Sequence, residues 1–549
     1  MGVFNHKEEM ADTPKQVLNW RLYWSTFVFG ILGASRGLDE GLVGGMVGMK
    51  SFTHEFPMEL GTKNEQANRE SNITSMVQLG SIVGALLAFV LCDKIGRVRS
   101  LQALCVLWLT GFIIVVASFG SIGQILAGRF IAGTGIGMTT VVGPTFLVEV
   151  APKAIRGMLT NIFAGSVYLG VMVAYFSNWG AAINLPSTTR MQWVAPPDRT
   201  YWFLRVSHPP STLLFILSFT VNETPRWLTM KGKHEQALKN LSVLRQLPED
   251  HPFVQNELLD VREQLERERE ATMGSSRWGK LRELVMIPSN RYRFMLGIMS
   301  QLLGQWSGAS AITIYAAQFF AALGKTGQSE KLFATCILGV VKLCSAYFCA
   351  FFLIDFFGRR RSLYTGICLQ LVAILYVAMY LTMVPQDALK DGLLSPSQKR
   401  AATGAIAAIY ISGFGWAMGW NSFQYLVNAE VYPIRLRALG SSLVMCFHFV
   451  NQFGNTKAVP TMLLDMRTYG FFYFCTIVCA LGLAWVWFFV PETRGKSLES
   501  MDALFSLPWH QIGRNGRKLT EGIGSHTDEE KWIDNEKKNT ELQQVENAT

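Results

Sequence analysis

Carboxyl, amide and imidazole side chains lie inside long apolar stretches of this chain. Asp39 interrupts one stretch, Gln301 and Gln305 lie four residues apart in a second, and His448 and Gln452 lie four residues apart in a third. A carboxyl group among apolar residues can bind and release a proton, and side-chain amides both donate and accept hydrogen bonds. Four residues are one helical turn, so each pair shares a helix face. The pattern predicts that these side chains bind a proton and a hydrogen-bonding ligand reversibly.

Covalent chemistry has little support in the sequence. We find no nucleotide-binding loop, no metal-ligand spacing and no nucleophile–base pair that rises above chance. The nine cysteines fall within apolar stretches or at their ends, without a disulfide or metal spacing. We therefore expect no enzyme activity, no cofactor and no metal site.

The composition indicates which elements must position the polar groups. Apolar residues make up 50% of the 549 residues, whereas Asp, Glu, Lys and Arg together make up 16%, against about 25% in a soluble domain. A soluble chain with so few charges would expose large apolar patches. We expect an integral membrane protein. The formal charge of +10 does not predict nucleic-acid binding, which needs basic faces on a soluble module.

Twelve stretches are candidates for crossing a bilayer, which takes about 20 residues per helix. Ten of them lack Asp, Glu, Lys and Arg, while the first and the eighth carry such charges. The predicted helices are 22–49, 71–92, 100–128, 130–148, 157–189, 206–222, 295–324, 332–354, 362–386, 401–429, 438–456 and 468–490.

The basic clusters follow the even-numbered helices, so the positive-inside rule places those loops and both termini in the cytoplasm. The division that we predict is an N-terminal cytoplasmic arm at 1–21, a six-helix half at 22–222, a charged helical linker at 223–290, a second six-helix half at 291–490 and a cytoplasmic, partly disordered tail at 491–549.

Three groups of residues recur in the same order in the two halves, at spacings of 262, 281 and 269 residues. They are Asp93, Gly96 and Arg97 with Asp355, Gly358 and Arg359; Glu149 and Arg156 with Glu430 and Arg437; and Glu223 and Thr224 with Glu492 and Thr493. Parallel halves of this kind predict a transporter with a midplane site between them. The recurring acids and bases, with Arg360 beside Arg359, predict an ion-pair gate at the cytoplasmic face. The alternative is charge that only sets topology.

These motifs resemble the sugar porter family of the major facilitator superfamily, in its fungal branch. The matching segments are 37–41, 93–97, 128–130, 144–157, 223–228, 301–308 and 491–495, within a match that covers about 20–505. The resemblance implies an all-α membrane fold of twelve transmembrane helices in two pseudo-symmetric halves. It also implies a plasma-membrane location, function as a monomer, and import by alternating access.

The resemblance also implies roles for single residues. Asp39 matches the acid of proton-coupled members and Arg129 matches its usual partner, so proton symport is expected. Arg36, three residues before Asp39, could instead neutralise that acid and leave a passive facilitator. The implied substrate-binding residues are Gln301, Gln305, Ser310, Tyr425, His448 and Gln452.

Two departures from the family pattern leave the substrate open. Gly304 and Ala164 stand where the family carries glutamines, so the site has fewer amides than a glucose site. Lys342 and His448 could help to hold a carboxylate. Equally, Lys342 could snorkel towards the membrane surface or form a purely structural pair, and His448 could serve only as a helix–helix hydrogen bonder. We expect import of a monosaccharide or a related polyol. The alternatives are a passive facilitator, a quinate or polyol permease, and a sugar sensor that does not transport.

Overall fold

A computed structural model describes residues 14–56, 58, 60–152, 155–184, 209–270, 277–325, 327–349, 358–384, 395–421, 423–424, 431–492, 504–505 and 512. The regular elements in this part of the chain are all helices. Twelve helical regions follow the predicted order, and we number them spans 1 to 12. They are Trp20–Val47, Lys63–Ile95, Arg97–Val116, Ile122–Val150, Arg156–Asn184, Pro209–Ser218, Pro288–Ala322 in three pieces, Gln328–Phe348, Arg359–Met383, Pro396–Trp416 with the π-helical turn Ala417–Asn421, Ile434–Asp465 and Arg467–Phe489.

Eight of these regions are long and apolar enough to cross a membrane by themselves: spans 2 to 5, 8 to 10, and 12. The other four, within the described residues, are spans 1, 6, 7 and 11. Span 6 is described only in part, and spans 1, 7 and 11 carry the polar residues that drew attention in the sequence. The predicted architecture of twelve membrane helices is confirmed.

One predicted boundary is wrong. We expected a single helix over 100–128, but span 3 ends at Val116 and span 4 begins at Ile122. The intervening turn holds Phe119 and Gly120 at φ of 38° and 86°. Apolar content alone could not show this turn, because residues 100–128 lack Asp, Glu, Lys and Arg throughout, in the turn as well as on both sides of it.

Span 7 is also not one continuous helix. It consists of the pieces Pro288–Trp306, Ala309–Ile314 and Ala316–Ala322. The first break lies at Gly308, whose φ of 94° suits a residue without a side chain. Gln370 of span 9 donates to both the backbone carbonyl and the hydroxyl of Ser307, at 3.2 and 3.0 Å. The backbone freed at the break is thereby satisfied inside the protein, as lipid requires.

Within a half, neighbouring helices pack with their backbones close together. Spans 1 and 5 meet along small residues, and a Cβ added to Gly37 would lie 1.8 Å from the Val167 carbonyl oxygen. Such stripes let membrane helices approach closely. Between the halves, span 2 packs against span 11 and span 5 against span 8. Spans 2 and 11 therefore form one seam between the halves, and spans 5 and 8 form another.

Among the described residues between the halves, four helices follow one another in sequence: Pro225–Met230, His234–Arg245, Pro252–Glu270 and Arg277–Met286. The fully buried Arg245 fastens this linker to the first half. Its guanidinium donates to Glu257 Oε1 at 2.5 Å and to the Val150 carbonyl, at the end of span 4, at 3.0 Å.

Candidate binding and coupling site

A central cavity of about 550 Å³, including its open mouth, lies between the halves. Spans 1 and 5 form one wall, and spans 7, 10 and 11 form the other. Of the predicted substrate residues, Gln305, Ser310, His448 and Gln452 line it. Gln301 lies directly behind His448, and Tyr425 falls outside the described residues. The structure thus brings five of the six predicted positions to one place.

His448 is the centre of this polar network. The Arg36 guanidinium lies 3.0 Å from His448 Nε2, and a guanidinium can only donate. Nε2 must therefore accept, so the ring proton is on Nδ1, which lies 2.8 Å from Gln301 Oε1. The amide of Gln305 lies 3.1 Å from the same nitrogen. His448 both lines the cavity and bonds other helices, so the two interpretations of this residue are compatible.

Arg36 and Glu40 are cavity residues that we had not predicted as site residues. Arg36 Nε donates to Glu40 Oε1 at 3.1 Å, and Gln452 donates to the same oxygen at 3.1 Å. The Arg36 guanidinium carbon lies over the aromatic ring of Phe449, 5.2 Å from the centre of that ring. The sequence signal was the charge that interrupts the first apolar stretch. These contacts join span 1 of the first half to span 11 of the second.

The predicted coupling pair is also together. Arg129 Nη1 lies 3.7 Å from Asp39 Oδ1, and both side chains are buried. Arg129 Nε donates to the Ile73 carbonyl at 2.6 Å, which fixes the guanidinium between spans 2 and 4. Arg36 therefore pairs with Glu40, while Asp39 has a cation of its own. The role of the pair in proton transfer stays a prediction.

Gln424, three residues after the end of span 10, compensates for the missing amide at position 304. A Cβ added to Gly304 would lie 2.2 Å from Gln424 Nε2, so the Gln424 side chain fills that space and lines the cavity. Trp416 Nε1 donates to the Tyr168 hydroxyl at 2.8 Å, and that hydroxyl donates to Asn421 Oδ1 at 3.1 Å. Trp416 and Tyr168 thus place aromatic rings on the cavity wall. Polar residues within the tenth apolar stretch were the only sequence signal.

The gate residues of the first half meet at the end of the bundle that carries the repeated motifs, which we call the motif end. Arg97 Nη2 donates to Glu149 Oε1 at 2.7 Å and lies 3.5 Å from Asp93 Oδ1. The Thr224 hydroxyl donates to Glu149 Oε2 at 2.7 Å. All these contacts lie within one half.

The second-half gate is described only in part. Asp355 and Glu430 fall outside the described residues, as do the side chains of Arg156 and Arg437. An ion-pair gate between the halves therefore stays a prediction.

The recurring Glu-Thr pairs have a structural explanation in both halves. Glu223 accepts hydrogen bonds from the backbone N–H groups of Arg97 and Val98 at 2.9 and 3.1 Å, and so caps span 3. Glu492 caps span 9 through the N–H groups of Arg359 and Arg360, at 3.0 and 3.2 Å. Burial raises the pKa of the Glu223 carboxyl, and the backbone hydrogen bonds act in the opposite direction.

Polar contacts tie the halves together at the other end, which we call the opposite end. Tyr315 of span 7 shares a hydrogen bond of 3.0 Å with Thr74 of span 2. Gln318 donates to Glu70 Oε1 at 2.5 Å, and the Lys457 ammonium donates to Asn72. These contacts join the two halves at the opposite end.

Comparison with known proteins identifies the family. Residues 25–505 match the family described as "Sugar (and other) transporter". The chain is 31% identical to the quinate permease of Neurospora africana over 506 residues, 91% of each chain. It is 30% identical to the MFS-type transporter qa-x of Neurospora crassa, again over 91% of each.

Solved structures agree on the fold. The xylose transporter XylE from E. coli in a partially occluded inward-open conformation has a TM-score of 0.70 at 19% identity, covering 87% of this chain and 100% of that chain. The proton:xylose symporter XylE bound to 6-bromo-6-deoxy-D-glucose has a TM-score of 0.70 at 20% identity, covering 88% and 99%. The resemblance found in the motifs is confirmed. This multi-pass membrane protein belongs to the sugar porter family of the major facilitator superfamily.

Proposed function

We propose that this protein imports a polyhydroxylated small molecule together with a proton, by alternating access. The observation that carries this proposal is the central cavity, which both halves line with amide, hydroxyl and aromatic groups. Amides match neighbouring hydroxyls because both donate and accept, and the aromatic rings can cover the C–H face of a ring compound. The protein acts as a monomer in the plasma membrane, with both termini in the cytoplasm.

The contacts between the halves support an alternating cycle. They close the opposite end, which the positive-inside rule places outside the cell. For the cavity to open outward, the contacts of Tyr315 and Gln318 with span 2 must break. These are a few hydrogen bonds of modest net energy, so the halves can separate and rejoin during a cycle.

Asp39 and Arg129 are the proposed coupling groups. An acid buried within a membrane bundle is costly and marks function. Asp39 neighbours Glu40, which lines the cavity and is bonded to span 11. A movement of span 1 during the cycle would therefore alter the 3.7 Å pair and let Asp39 exchange a proton. A passive facilitator was the alternative because Arg36 could neutralise Asp39. Arg36 pairs with Glu40 instead, and Asp39 pairs with Arg129, which supports proton symport.

The test is uptake into vesicles with an imposed pH gradient, comparing wild type with Asp39→Asn. We expect the variant to lose uphill accumulation and to retain exchange of substrate across the membrane. Asp465→Asn, at an exposed position at the end of span 11, is the matched control and should accumulate like wild type. Uphill uptake at the wild-type level by Asp39→Asn would refute proton coupling through this residue. Binding without any flux in the wild type would favour a sensor.

A further inference from the structure

The charges around the cavity do not balance. Two pairs cancel within the described residues: Asp39 with Arg129, and Glu40 with Arg36. Lys342 of span 8 is the additional cation. It is buried, its ammonium donates to the Thr313 hydroxyl, and Thr313 lines the cavity. No carboxylate among the described residues lies within salt-bridge distance of Lys342.

A buried positive charge without a counter-charge is unfavourable in a membrane protein. An anion in the cavity would correct this imbalance. We propose that the substrate is a polyhydroxylated carboxylic acid in its singly charged form, and that Arg36 binds its carboxylate. This inference rests on the proposed transport function and specifies its substrate class.

Arg36 suits the carboxylate because its guanidinium lies on the cavity wall and is held in a fixed orientation. Glu40 binds its Nε, His448 contacts one terminal nitrogen, and Phe449 packs beside it. A planar guanidinium with a set direction matches a carboxylate better than a mobile ammonium does. Lys342 contributes the balancing charge from behind Thr313.

A separate observation, at Gln452, supports the presence of hydroxyl groups on the substrate. Gln452 uses its Nε2 to donate to Glu40. Its Oε1 is buried and has no partner among the described residues, although Gln452 lines the cavity. A buried acceptor of this kind is costly unless a ligand or water supplies a donor. A hydroxyl of the substrate is such a donor.

Glu40 competes with the substrate for Arg36, so two substitutions should act in opposite directions. Arg36→Gln removes the cation and should abolish the preference for the acid. Glu40→Gln keeps the cation, removes its internal carboxylate and should strengthen that preference. A loss of folding or of general packing cannot produce opposite signs at two residues that contact each other.

The experiment measures binding to the purified full-length protein in nanodiscs. The probes are quinate, its uncharged methyl ester, D-xylose and D-glucose. The readout is the ratio of the dissociation constants of ester and acid, so that effects common to both ligands cancel. We expect wild type to bind the acid about 10- to 100-fold more tightly than the ester, the range for a hydrogen-bonded charge. The ratio should fall close to one in Arg36→Gln, rise in Glu40→Gln and fall by a smaller factor in Lys342→Met.

The outcomes separate the two proposals. A wild-type ratio near one, or a ratio unchanged in Arg36→Gln, overturns the assignment of the acid. Binding and uptake of D-xylose or D-glucose with no competition by quinate also overturn it, but leave the transport function intact. If the folded protein neither binds nor moves any of the four probes, both proposals fail.

Discussion

Gly44 of span 1 faces the backbone of span 7 where the two halves meet at the opposite end. A Cβ added at this position would lie 1.7 Å from the Ile314 carbonyl oxygen, whereas nonbonded carbon atoms approach other heavy atoms at about 3.5 Å. The obstacle is backbone, so no side-chain rotation relieves it. Gly44→Ala should therefore push span 7 away from span 1 and disfavour closure of this end.

The free-energy cost of Gly44→Ala to closure of the opposite end follows from the hydrogen bonds that would be lost. Next to Ile314, Tyr315 bonds to Thr74 and Gln318 bonds to the Glu70 carboxyl. Losing one neutral and one charge-assisted hydrogen bond costs about 2 to 4 kcal/mol. That energy shifts the equilibrium between closed and open forms about 30- to 700-fold. The variant should fold, because each half keeps its own packing, but it should rest with the opposite end open.

Spin labels on the two halves can measure this opening. Leu60 and Glu330 are exposed positions at the opposite end, one in each half, and Cys344, the exposed free cysteine among the described residues, is replaced by Ser. Wild type should give one population of short distances. Gly44→Ala should give mainly longer ones, together with slower net uptake.

Gly48→Ala, at the residue that follows the last residue of span 1, is the matched control. The nearest atom to a Cβ there is 3.8 Å away, so this variant should behave like wild type. Distances and uptake in Gly44→Ala that equal those of the wild type would refute the steric reasoning. So would an equal opening in Gly48→Ala, because it would show that any added methyl group disturbs this region.

Three further predictions concern the motif end and the linker. Arg245→Met removes a buried guanidinium and its charge-assisted hydrogen bonds to the part-exposed Glu257. It should cost about 2 kcal/mol, seen as faster proteolysis of the linker, whereas Arg267→Met, in an exposed pair, should change little. Gly96→Ala, at φ 99° and with its Cβ 2.3 Å from a carboxylate oxygen, should lower unfolding free energy by about 2 kcal/mol, unlike Gly123→Ala, which meets no atom nearer than 4.0 Å. Because burial raises the pKa of Glu223, this group favours the native state at acid pH, and its contribution is lost as pH rises through the native pKa. Wild type should gain thermal stability relative to Glu223→Gln on acidification, and a shift in the variant's favour would contradict this.

Most of the architecture could be predicted before any coordinates. Runs of about 20 apolar residues indicate membrane segments because their side chains contact hydrocarbon. Such segments are helices because a helix satisfies its own backbone hydrogen bonds in lipid. The repeated motifs at Asp93 and Asp355, and at Glu223 and Glu492, revealed two similar halves. The spacing of Gln301 and Gln305 predicted a polar helix face. These are properties of local sequence, and they also led to the family.

Local sequence spacing did not predict how the charges pair, and the Asp39–Arg129 pair was expected only from the family resemblance. Arg36 precedes Asp39 by three residues and Glu40 by four, so helical spacing allows either pairing. The structure pairs Arg36 with Glu40, and the packing of span 4 against span 1 brings Arg129 to Asp39. From the sequence, Gly304 likewise indicated a lost amide, whereas in the structure the side chain of Gln424 occupies that space.

Such outcomes depend on distances between helices that are far apart in the chain. Linear spacing determines which residues share a helix face, but not which other helix that face meets. The sequence by itself therefore determined the membrane class, the two halves and the candidate polar residues. Only the tertiary structure decided that Arg36 pairs with Glu40, that Gln424 occupies the space beside Gly304, and which polar residues line the cavity.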